Sequence, residues 1–188
     1  MAEFRAWPKT PRLFRDITVT EKLDGTNAAI HFVANTGPME GTFSVTCQSR
    51  NRIIKPGDDN FGFALWVHQN ASELFALLGP GLHFGEWWGH GIQRGYGLEE
   101  RRFSLFNTDV HRGVNDFVGD VLVQPVPVLW KGTFREDKIR ECLEGLRDEG
   151  SEAAPGFMNP EGVCVYHNAT RTVFKVTLDA NDAGKWEV

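Results

Sequence analysis

The chain has 188 residues, of which 41% are hydrophobic and 24% are charged. These values exclude general disorder and predict one globular domain, or a domain with a small appendage, with a buried core. A formal net charge of −5 is atypical of a surface that binds nucleic acid throughout, so any polyanion site must be a local cluster of basic residues.

The first predicted elements are three strands, recognised by the alternation of apolar and polar residues. In ITVTEK (17–22) the threonines and Lys22 share one face, and the apolar residues share the other. AAIHFV (28–33) follows an Asp-Gly turn and is predicted to be the hairpin partner of the first strand. FSVTCQSR (43–50) alternates in the same way, and its polar face ends at Arg50.

Five later segments also have strand character: LHFGEW (82–87), RFSLF (102–106), PVPVLW (125–130), GVCVYH (162–167) and TVFKVTL (172–178). The two prolines of the third segment predict an edge strand or an extended connection, because proline cannot donate a hydrogen bond to a neighbouring strand.

Two segments are predicted to be helices because their apolar residues recur at spacings of three and four. The first covers 60–78 and ends at Gly79. The second covers 135–149, and its buried stripe is predicted to comprise Ile139, Cys142, Leu143 and Leu146. Residues 150–160 are predicted to form a loop. The whole pattern predicts an α+β domain with antiparallel sheets and helices packed outside.

The three cysteines, Cys47, Cys142 and Cys164, are odd in number and lack C-x-x-C spacing. This predicts a reducing compartment, namely the cytoplasm, rather than a disulfide scaffold or a cysteine zinc site. No stretch has the composition of a signal peptide or a membrane span. The common phosphate-loop, dinucleotide, zinc-protease and nucleophile-elbow motifs are also absent from the sequence.

Two groups of basic residues are candidate polyanion sites: Arg5, Lys9, Arg12 and Arg15 in one, and Arg94, Arg101 and Arg102 in the other. Basic runs of this size are more often solvated surface than binding sites.

Five charged residues interrupt or end predicted strands: Lys22, Arg50, Glu86, Glu161 and Lys175. Their joint occurrence predicts that two sheets face each other across a charged cleft. Inside such a cleft, partial burial and neighbouring cations would favour the neutral, nucleophilic form of a lysine. The same cations, together with Mg²⁺, would neutralise a triphosphate while its α-phosphorus is attacked.

EKLDGTN (21–27) resembles the K-x-D-G motif of covalent nucleotidyltransferases, the superfamily of polynucleotide ligases and mRNA capping enzymes. Further matching segments follow in the same order: QSRNRI, FGEWWGHGIQRGYG, FSLFNTDV, EGVCVY and VFKV. Together they cover most of the chain. The Gly-Thr-Asn ending of the first motif, the Ser-Arg pair of the second and the form of the third resemble the RNA ligase 2 branch.

The resemblance implies an ATP-grasp-like nucleotidyltransferase fold, in which antiparallel sheets face each other across a nucleotide cleft. It implies an ATP-dependent RNA ligase that joins 5′-phosphate and 3′-hydroxyl ends through a lysyl-AMP intermediate and an adenylylated 5′ end. The implied cofactors are ATP and Mg²⁺, for which Mn²⁺ can substitute.

The resemblance also implies a role for each of eight residues. Lys22 would be the nucleophile, assisted in catalysis by Lys175 at the α-phosphate and by Arg50 at the nucleotide or the 5′-phosphate. The remaining roles are Glu21 beside the adenine, Asn27 near the phosphate or the incoming end, Glu86 at the ribose, Phe106 stacked on adenine and Glu161 at the metal or the nucleotide.

Three positions depart from the family pattern. Asp24 stands where RNA ligase 2 relatives often carry His, and Asn107 follows Phe106 where Asp is common. Thr177 replaces the second lysine of a Lys-x-Lys motif, unless Lys185 reaches the same phosphate. We expect the last departure to affect the efficiency of one chemical step but not the identity of the nucleophile.

We expect residues 1–188 to form a single nucleotidyltransferase domain without an appended OB-fold or other C-terminal domain. The expected substrate is RNA with 5′-phosphate and 3′-hydroxyl ends, with a nicked duplex and an RNA/DNA hybrid among its forms. The protein is expected to act as a monomer, with an accessory protein as one source of a nucleic-acid clamp. The alternatives are a GTP-dependent capping-type guanylyltransferase, a DNA ligase, and a non-catalytic module that binds nucleotides or RNA ends.

Overall fold

The computed structural model describes residues 3–36 and 41–179, which form eleven strands and three helices. In chain order they are β1 (Asp16–Lys22), β2 (Thr26–Ala34), β3 (Phe43–Ser49), β4 (Ile53–Ile54), α1 (Phe63–Gln69), α2 (Ala71–Leu78), β5 (Gly81–Gly89), β6 (Arg101–Leu105), β7 (Asp116–Val118), β8 (Val121–Pro125), β9 (Val128–Thr133), α3 (Glu136–Glu149), β10 (Gly162–His167) and β11 (Thr172–Thr177). The predicted α+β class with helices outside two sheets is confirmed.

The smaller sheet has four antiparallel strands in the order β11-β10-β1-β9. The apolar residues of β1 and β10 are buried with α3, which supplies Leu146 and the partly buried Ile139, Cys142 and Leu143. The predicted apolar stripe of this helix is therefore confirmed. The opposite face of the sheet carries the threonines of β1 and Lys22, because side chains alternate along a strand.

The larger sheet has seven strands in the order β4-β3-β2-β5-β6-β8-β7. Its neighbours are antiparallel except for β6 and β8, which run parallel, so the sheets are mostly antiparallel, as predicted. One face packs on α1 and α2 in the largest core, whose aromatic residues include Phe32, Trp87 and Phe103.

The predicted helix over 60–78 is two helices. Asn70 separates α1 from α2 with φ −118° and ψ 22°, outside helical geometry. Its side-chain amide donates to the carbonyl of Trp66 at 2.8 Å, in addition to its backbone amide at 3.1 Å, and so competes with continuation of the helix at the end of α1. The apolar spacing continues through this break, which is why periodicity alone did not place it.

The predicted hairpin of the first two strands is wrong, because β1 and β2 belong to different sheets. The Asp24–Gly25 segment crosses between the sheets instead of reversing the chain within one. Gly25 is needed for this crossing, since a Cβ there would lie 2.5 Å from the carbonyl oxygen of Trp87. Lys22 therefore ends β1 at the junction of the two sheets.

A second crossing lies beside the first. Val126 and Pro127 connect β8 of the larger sheet to β9 at the edge of the smaller one. The amide of Glu21 donates to the carbonyl of Pro127 at 3.1 Å, so the two crossings are hydrogen-bonded to each other. The prediction of an edge strand for the proline-containing segment is confirmed for β9. Across the described ranges, no helix is long and apolar enough to cross a membrane.

Candidate active site

Lys22 and Glu161 form an ion pair in the cleft between the sheets. The Lys22 Nζ lies 2.5 Å from Oε2 of Glu161, and the two side chains are 23% and 15% exposed. This carboxylate oxygen is buried and makes no hydrogen bond to another group in the described part of the chain. The ammonium of Lys22 is therefore its electrostatic partner.

The strand that follows Glu161 brings two lysines to the same region. Gly162 pairs with Lys22 on one side and with Thr177 of β11 on the other. Its φ is 145°, and a Cβ there would lie 2.2 Å from the carbonyl oxygen of Val176. Only glycine allows β11 to approach this closely, and β11 carries Lys175.

Cys164 lies between the two lysines on the cleft-facing side of the smaller sheet. It pairs with Thr20 of β1 and with Lys175 of β11. Burial raises the pKa of the Cys164 thiol, while the nearby positive charge of Lys22 acts in the opposite direction. The Cys164 thiol is therefore a neutral part of the cleft wall. It lies near Lys22 and Lys175 and near the carboxylates of Glu161 and Glu86.

The opposite wall of the cleft carries Glu86 on β5, directly across from Asn27 on β2. Burial raises the pKa of the Glu86 carboxyl to about 7, and the charge of Lys22 opposes this increase. Glu161 raises the same pKa, whereas Arg50 and a hydrogen bond from the amide of Gly25 lower it. These mutual effects place the three charged side chains close to Glu86.

Phe106 directly follows the last residue of β6, and its side chain lies on the same face of the sheet as Glu86. The register fixes this side, because Ser104 pairs with Glu86 and side chains alternate along the strand. The amide of Phe106 donates to the carbonyl of Phe84 at 2.9 Å. Its ring is 41% exposed and is therefore available for stacking.

Glu21 is placed on the other side of β1, away from Lys22. Its carboxylate accepts hydrogen bonds from Ser151 Oγ at 2.6 Å and from the amide of Ala153 at 2.9 Å. Only 1% of the residue is exposed, and burial raises the pKa of its carboxyl. Glu21 anchors the loop that follows α3, and contact of the residue with adenine stays a prediction.

Arg94 was noted in the sequence only as part of a basic group, but it connects the crossing segment to the smaller sheet. Its guanidinium donates to Asp24 at 2.9 Å, to the carbonyl of Asn159 at 3.0 Å and to Asp179 at 2.6 Å. Asn159 is two residues before Glu161, and Asp179 is two residues beyond β11. Arg94 thus fixes both segments relative to Lys22.

The two other arginines of that basic group have internal partners. Arg101 donates to the carbonyl of Phe61 at 2.8 Å, and its guanidinium carbon lies 5.9 Å from the centre of the Trp87 ring. Arg102 donates to Glu100 at 2.9 Å and to the carbonyl of Ala153 at 2.6 Å. These contacts favour a structural role for the group over a polyanion site.

The sequence matches the RNA ligase family over residues 15–177. The chain belongs to the RNA ligase family. Solved structures of an RNA ligase from Naegleria gruberi have the same fold. A variant with ATP and Mn is 19% identical, with a TM-score of 0.60 and coverage of 90% of this chain and 51% of that chain. A variant with AMP and Mn is 18% identical, with a TM-score of 0.57 and coverage of 94% and 53%. Another structure of that ligase, with PPi, is 19% identical, with a TM-score of 0.55 and coverage of 86% and 49%.

The chain therefore spans about half the length of the Naegleria chains that it matches. No functionally curated sequence gave a match. The predicted resemblance to the RNA ligase nucleotidyltransferase domain is confirmed by the family match and by the shared fold.

Thr177 pairs with Gly162 at the end of β11, at the position where the family resemblance implies a second lysine. Lys185, the candidate replacement, lies outside the described residues. Asn107, another of the three departures, accepts a hydrogen bond from the amide of Val110 at 3.3 Å through its side-chain oxygen and so shapes the turn after Phe106.

The residues present fit a divalent cation that is shared with phosphate groups. Mg²⁺ commonly binds one or two protein carboxylates together with substrate phosphates and water. Among residues 3–36 and 41–179, no group of three or more His, Cys, Asp or Glu side chains is placed to hold a metal ion. Glu161 nevertheless offers a buried carboxylate oxygen in the cleft, which suits a cation that gains its remaining ligands from a nucleotide.

Proposed function

We propose that the protein is an ATP-dependent RNA ligase that joins 5′-phosphate and 3′-hydroxyl ends. One observation carries this proposal: the Lys22 amine lies in the cleft 2.5 Å from Glu161, between sheet faces that carry Lys175 and Glu86. Membership of the RNA ligase family supports it, as do the ATP and AMP in the Naegleria ligase structures.

The first step forms a phosphoramidate on Lys22. Its Nζ attacks the α-phosphorus of ATP, the nitrogen–phosphorus bond forms, and the bond from the α-phosphorus to the leaving pyrophosphate breaks. The ammonium must first lose a proton, and the Glu161 carboxylate is the base in direct contact with it. Lys175 and Arg50 stabilise the negative charge that develops on the phosphate oxygens.

The opposite wall positions the nucleoside. Phe106 provides an exposed ring for stacking on the adenine. Glu86 accepts a hydrogen bond from a ribose hydroxyl, for which its ionised form is the better acceptor. Asn27 lies directly across from Glu86 and is placed to contact a phosphate or the incoming RNA end.

Glu161 is the residue that we assign to Mg²⁺. Glu161 is neutral while it holds the proton taken from Lys22 and becomes a carboxylate again once that proton passes to water. The Lys22 phosphoramidate carries no positive charge, so the buried carboxylate then needs another cation. Mg²⁺ bound at this position would supply positive charge to the phosphate oxygens.

The second and third steps transfer AMP to RNA and then release it. The 5′-phosphate of RNA attacks the phosphorus of lysyl-AMP, and the Lys22 amine is the leaving group. The 3′-hydroxyl of the second end then attacks the adenylylated 5′-phosphate, which forms the phosphodiester bond and releases AMP. Lys175 and Arg50 remain beside the phosphates in both steps.

A labelling experiment tests the first step. The protein is incubated with α-labelled ATP or GTP and Mg²⁺, then denatured and examined for covalent label. We expect label from ATP in the natural protein and none in Lys22→Ala. Lys138→Ala, which changes a lysine on α3 that pairs with Glu141, is the matched control and should retain the label.

The alternatives give different results. Label from GTP instead of ATP would favour a capping-type guanylyltransferase. Absence of label from either nucleotide in a correctly folded protein would contradict both enzymes and favour a non-catalytic binding module. Nicked duplex RNA, single-stranded RNA, an RNA/DNA hybrid and nicked DNA as substrates would then separate an RNA ligase from a DNA ligase.

Three organisational points belong to the same proposal. We propose that residues 1–188 form one nucleotidyltransferase domain, which the family match over 15–177 supports. The three free cysteines support a reducing compartment, and we propose the cytoplasm. We further propose a monomer, whose grip on RNA can be supplemented by an accessory protein.

A further inference from the structure

A basic, aromatic segment precedes β1 and has no part in the cleft. Residues 4–15, here called the basic arm, contain four of the 20 basic residues of the chain and none of its 25 acidic residues. Phe4 and Trp7 are 91% and 89% exposed. Rings this exposed beside basic residues are available for stacking on a partner.

The root of the basic arm is fixed to the smaller sheet. The carbonyl of Leu13 bonds to Nε2 of His167 at 2.8 Å, and the amide of Phe134 donates to the carbonyl of Arg15 at 2.9 Å. The rings of Phe14 and Phe134 meet edge to face at 6.1 Å. Within the described part of the chain, residues 4–12 make no hydrogen bond or ion pair, so their side chains are free for a partner.

We propose that the basic arm binds the RNA strand that the cleft joins. Arginine and lysine neutralise phosphates, and exposed aromatic rings stack on unpaired bases without sequence preference. Since the whole chain has a net charge of −5, the remainder is more acidic still and repels RNA. The basic arm therefore combines the positive charge and the exposed aromatic rings that RNA binding requires. This inference rests on the proposed RNA ligase function.

The geometry allows the arm and the cleft to engage the same strand. The arm joins β1 at Asp16, and Lys22 ends β1 about 20 Å away at 3.3 Å per residue. Nine extended residues, 4–12, span about 30 Å. Tyr166 lies between these two points on the cleft-facing side, paired with Thr18, and is 39% exposed. RNA held by the arm can therefore present its end to Lys22.

The test measures binding of a fluorescent, 5′-phosphorylated single-stranded RNA by anisotropy over a range of salt concentrations. The arm variant combines Arg5→Ala, Lys9→Ala and Arg12→Ala. A control variant of equal charge combines Lys138→Ala, Arg140→Ala and Arg147→Ala on α3. We expect the slope of log affinity against log salt to decrease by about 2 in the arm variant and to stay unchanged in the control.

A second variant separates stacking from charge. Trp7→Ala should weaken RNA binding about tenfold while leaving the salt slope unchanged, because it removes a ring and no charge. Covalent labelling of Lys22 is measured in parallel and should be normal in all variants, since the arm lies outside the cleft.

The proposal is overturned if the arm variant binds RNA like the natural protein, or if the α3 control weakens binding equally. It is also overturned if the arm variant changes the oligomeric state, measured by sedimentation, while RNA binding stays the same. Loss of Lys22 labelling in the natural protein would contradict the ligase proposal instead, and the binding measurement would remain interpretable.

Discussion

The two faces of the smaller sheet stabilise their buried charged side chains by different interactions. On the outer face, Glu21 is 1% exposed and its carboxylate is bound by a hydroxyl and an amide of the loop after α3. On the cleft face, the adjacent residue Lys22 forms an ion pair with Glu161. A fully hydrogen-bonded carboxylate stabilises a structure, whereas a carboxylate held by one cation can exchange that partner for a substrate or a metal.

The largest effect is expected from Glu161→Gln, which removes the ion pair with Lys22 on the cleft face. The change removes the base in contact with Lys22 and the carboxylate assigned to Mg²⁺. We expect the single-turnover rate of lysyl-AMP formation to decrease at least about 100-fold, or about 3 kcal/mol. Glu149→Gln, at an exposed end of α3, is the control and should keep the natural rate. A decrease below threefold in Glu161→Gln would contradict the assignment.

The second effect concerns Glu86, whose pKa is raised by burial to about 7 from 4.5. The folded protein holds a proton on Glu86 at pH values where the unfolded chain has lost it. Glu86 therefore lowers the free energy of unfolding progressively as the pH rises from about 4.5 to about 7. The loss amounts to at most about 3 kcal/mol.

Glu86→Gln should remove this part of the pH dependence. Urea unfolding of the natural protein and the variant at several pH values measures it, and Glu149→Gln should behave like the natural protein. The activity gives an independent check, because the ionised carboxylate is the better acceptor for a ribose hydroxyl. The KM for ATP should fall as the pH rises through about 7 in the natural protein only. Identical pH profiles for the natural protein and Glu86→Gln would contradict the assignment.

A third, smaller effect tests the hydrogen-bonded carboxylate of Glu21 on the outer face of the smaller sheet. Glu21→Ala leaves the Ser151 hydroxyl and the Ala153 amide buried without an acceptor. We expect the free energy of unfolding to decrease by about 2 kcal/mol, while lysyl-AMP formation in the folded fraction changes little. If instead the KM for ATP increases about tenfold and the stability stays the same, Glu21 contacts the adenine as the family resemblance implies.

The smallest effect is expected at Arg94, which positions both sides of the cleft without touching the reacting atoms. Arg94→Ala should lower kcat for lysyl-AMP formation about tenfold, or about 1.4 kcal/mol, with part of the rate retained in Arg94→Lys. Arg101→Ala is the matched control, because it removes an internal arginine contact away from Lys22. Equal loss of rate in both alanine variants would indicate general destabilisation and contradict a positioning role.

Alternation along short strands made much of this fold predictable. Each predicted strand overlaps an observed one, and the face assignment of β1 correctly put Lys22 opposite the apolar core. The same alternation also puts Glu21 on the core side. Its role beside adenine was inferred from family resemblance alone and has to be tested against its contacts with Ser151 and Ala153.

Long-range pairing was not predictable from local pattern. The Asp-Gly segment has the composition of a hairpin turn, yet β1 pairs with β9 and β10 instead of β2. The contact between Asp24 and Arg94 joins residues 70 positions apart, and no periodicity connects them. Asn70 likewise interrupts an apolar pattern that continues on both sides, so the break between α1 and α2 carries no signal in the spacing.

The two adjacent crossings place the nucleophile where the two sheets are joined. The amide of Glu21 donates to the carbonyl of Pro127 in the second crossing, and Lys22 follows directly in the chain. Arg94 adds a further connection, to Asn159 and to Asp179. The position of the attacking amine is therefore set by the backbone that joins the sheets and not by a free loop.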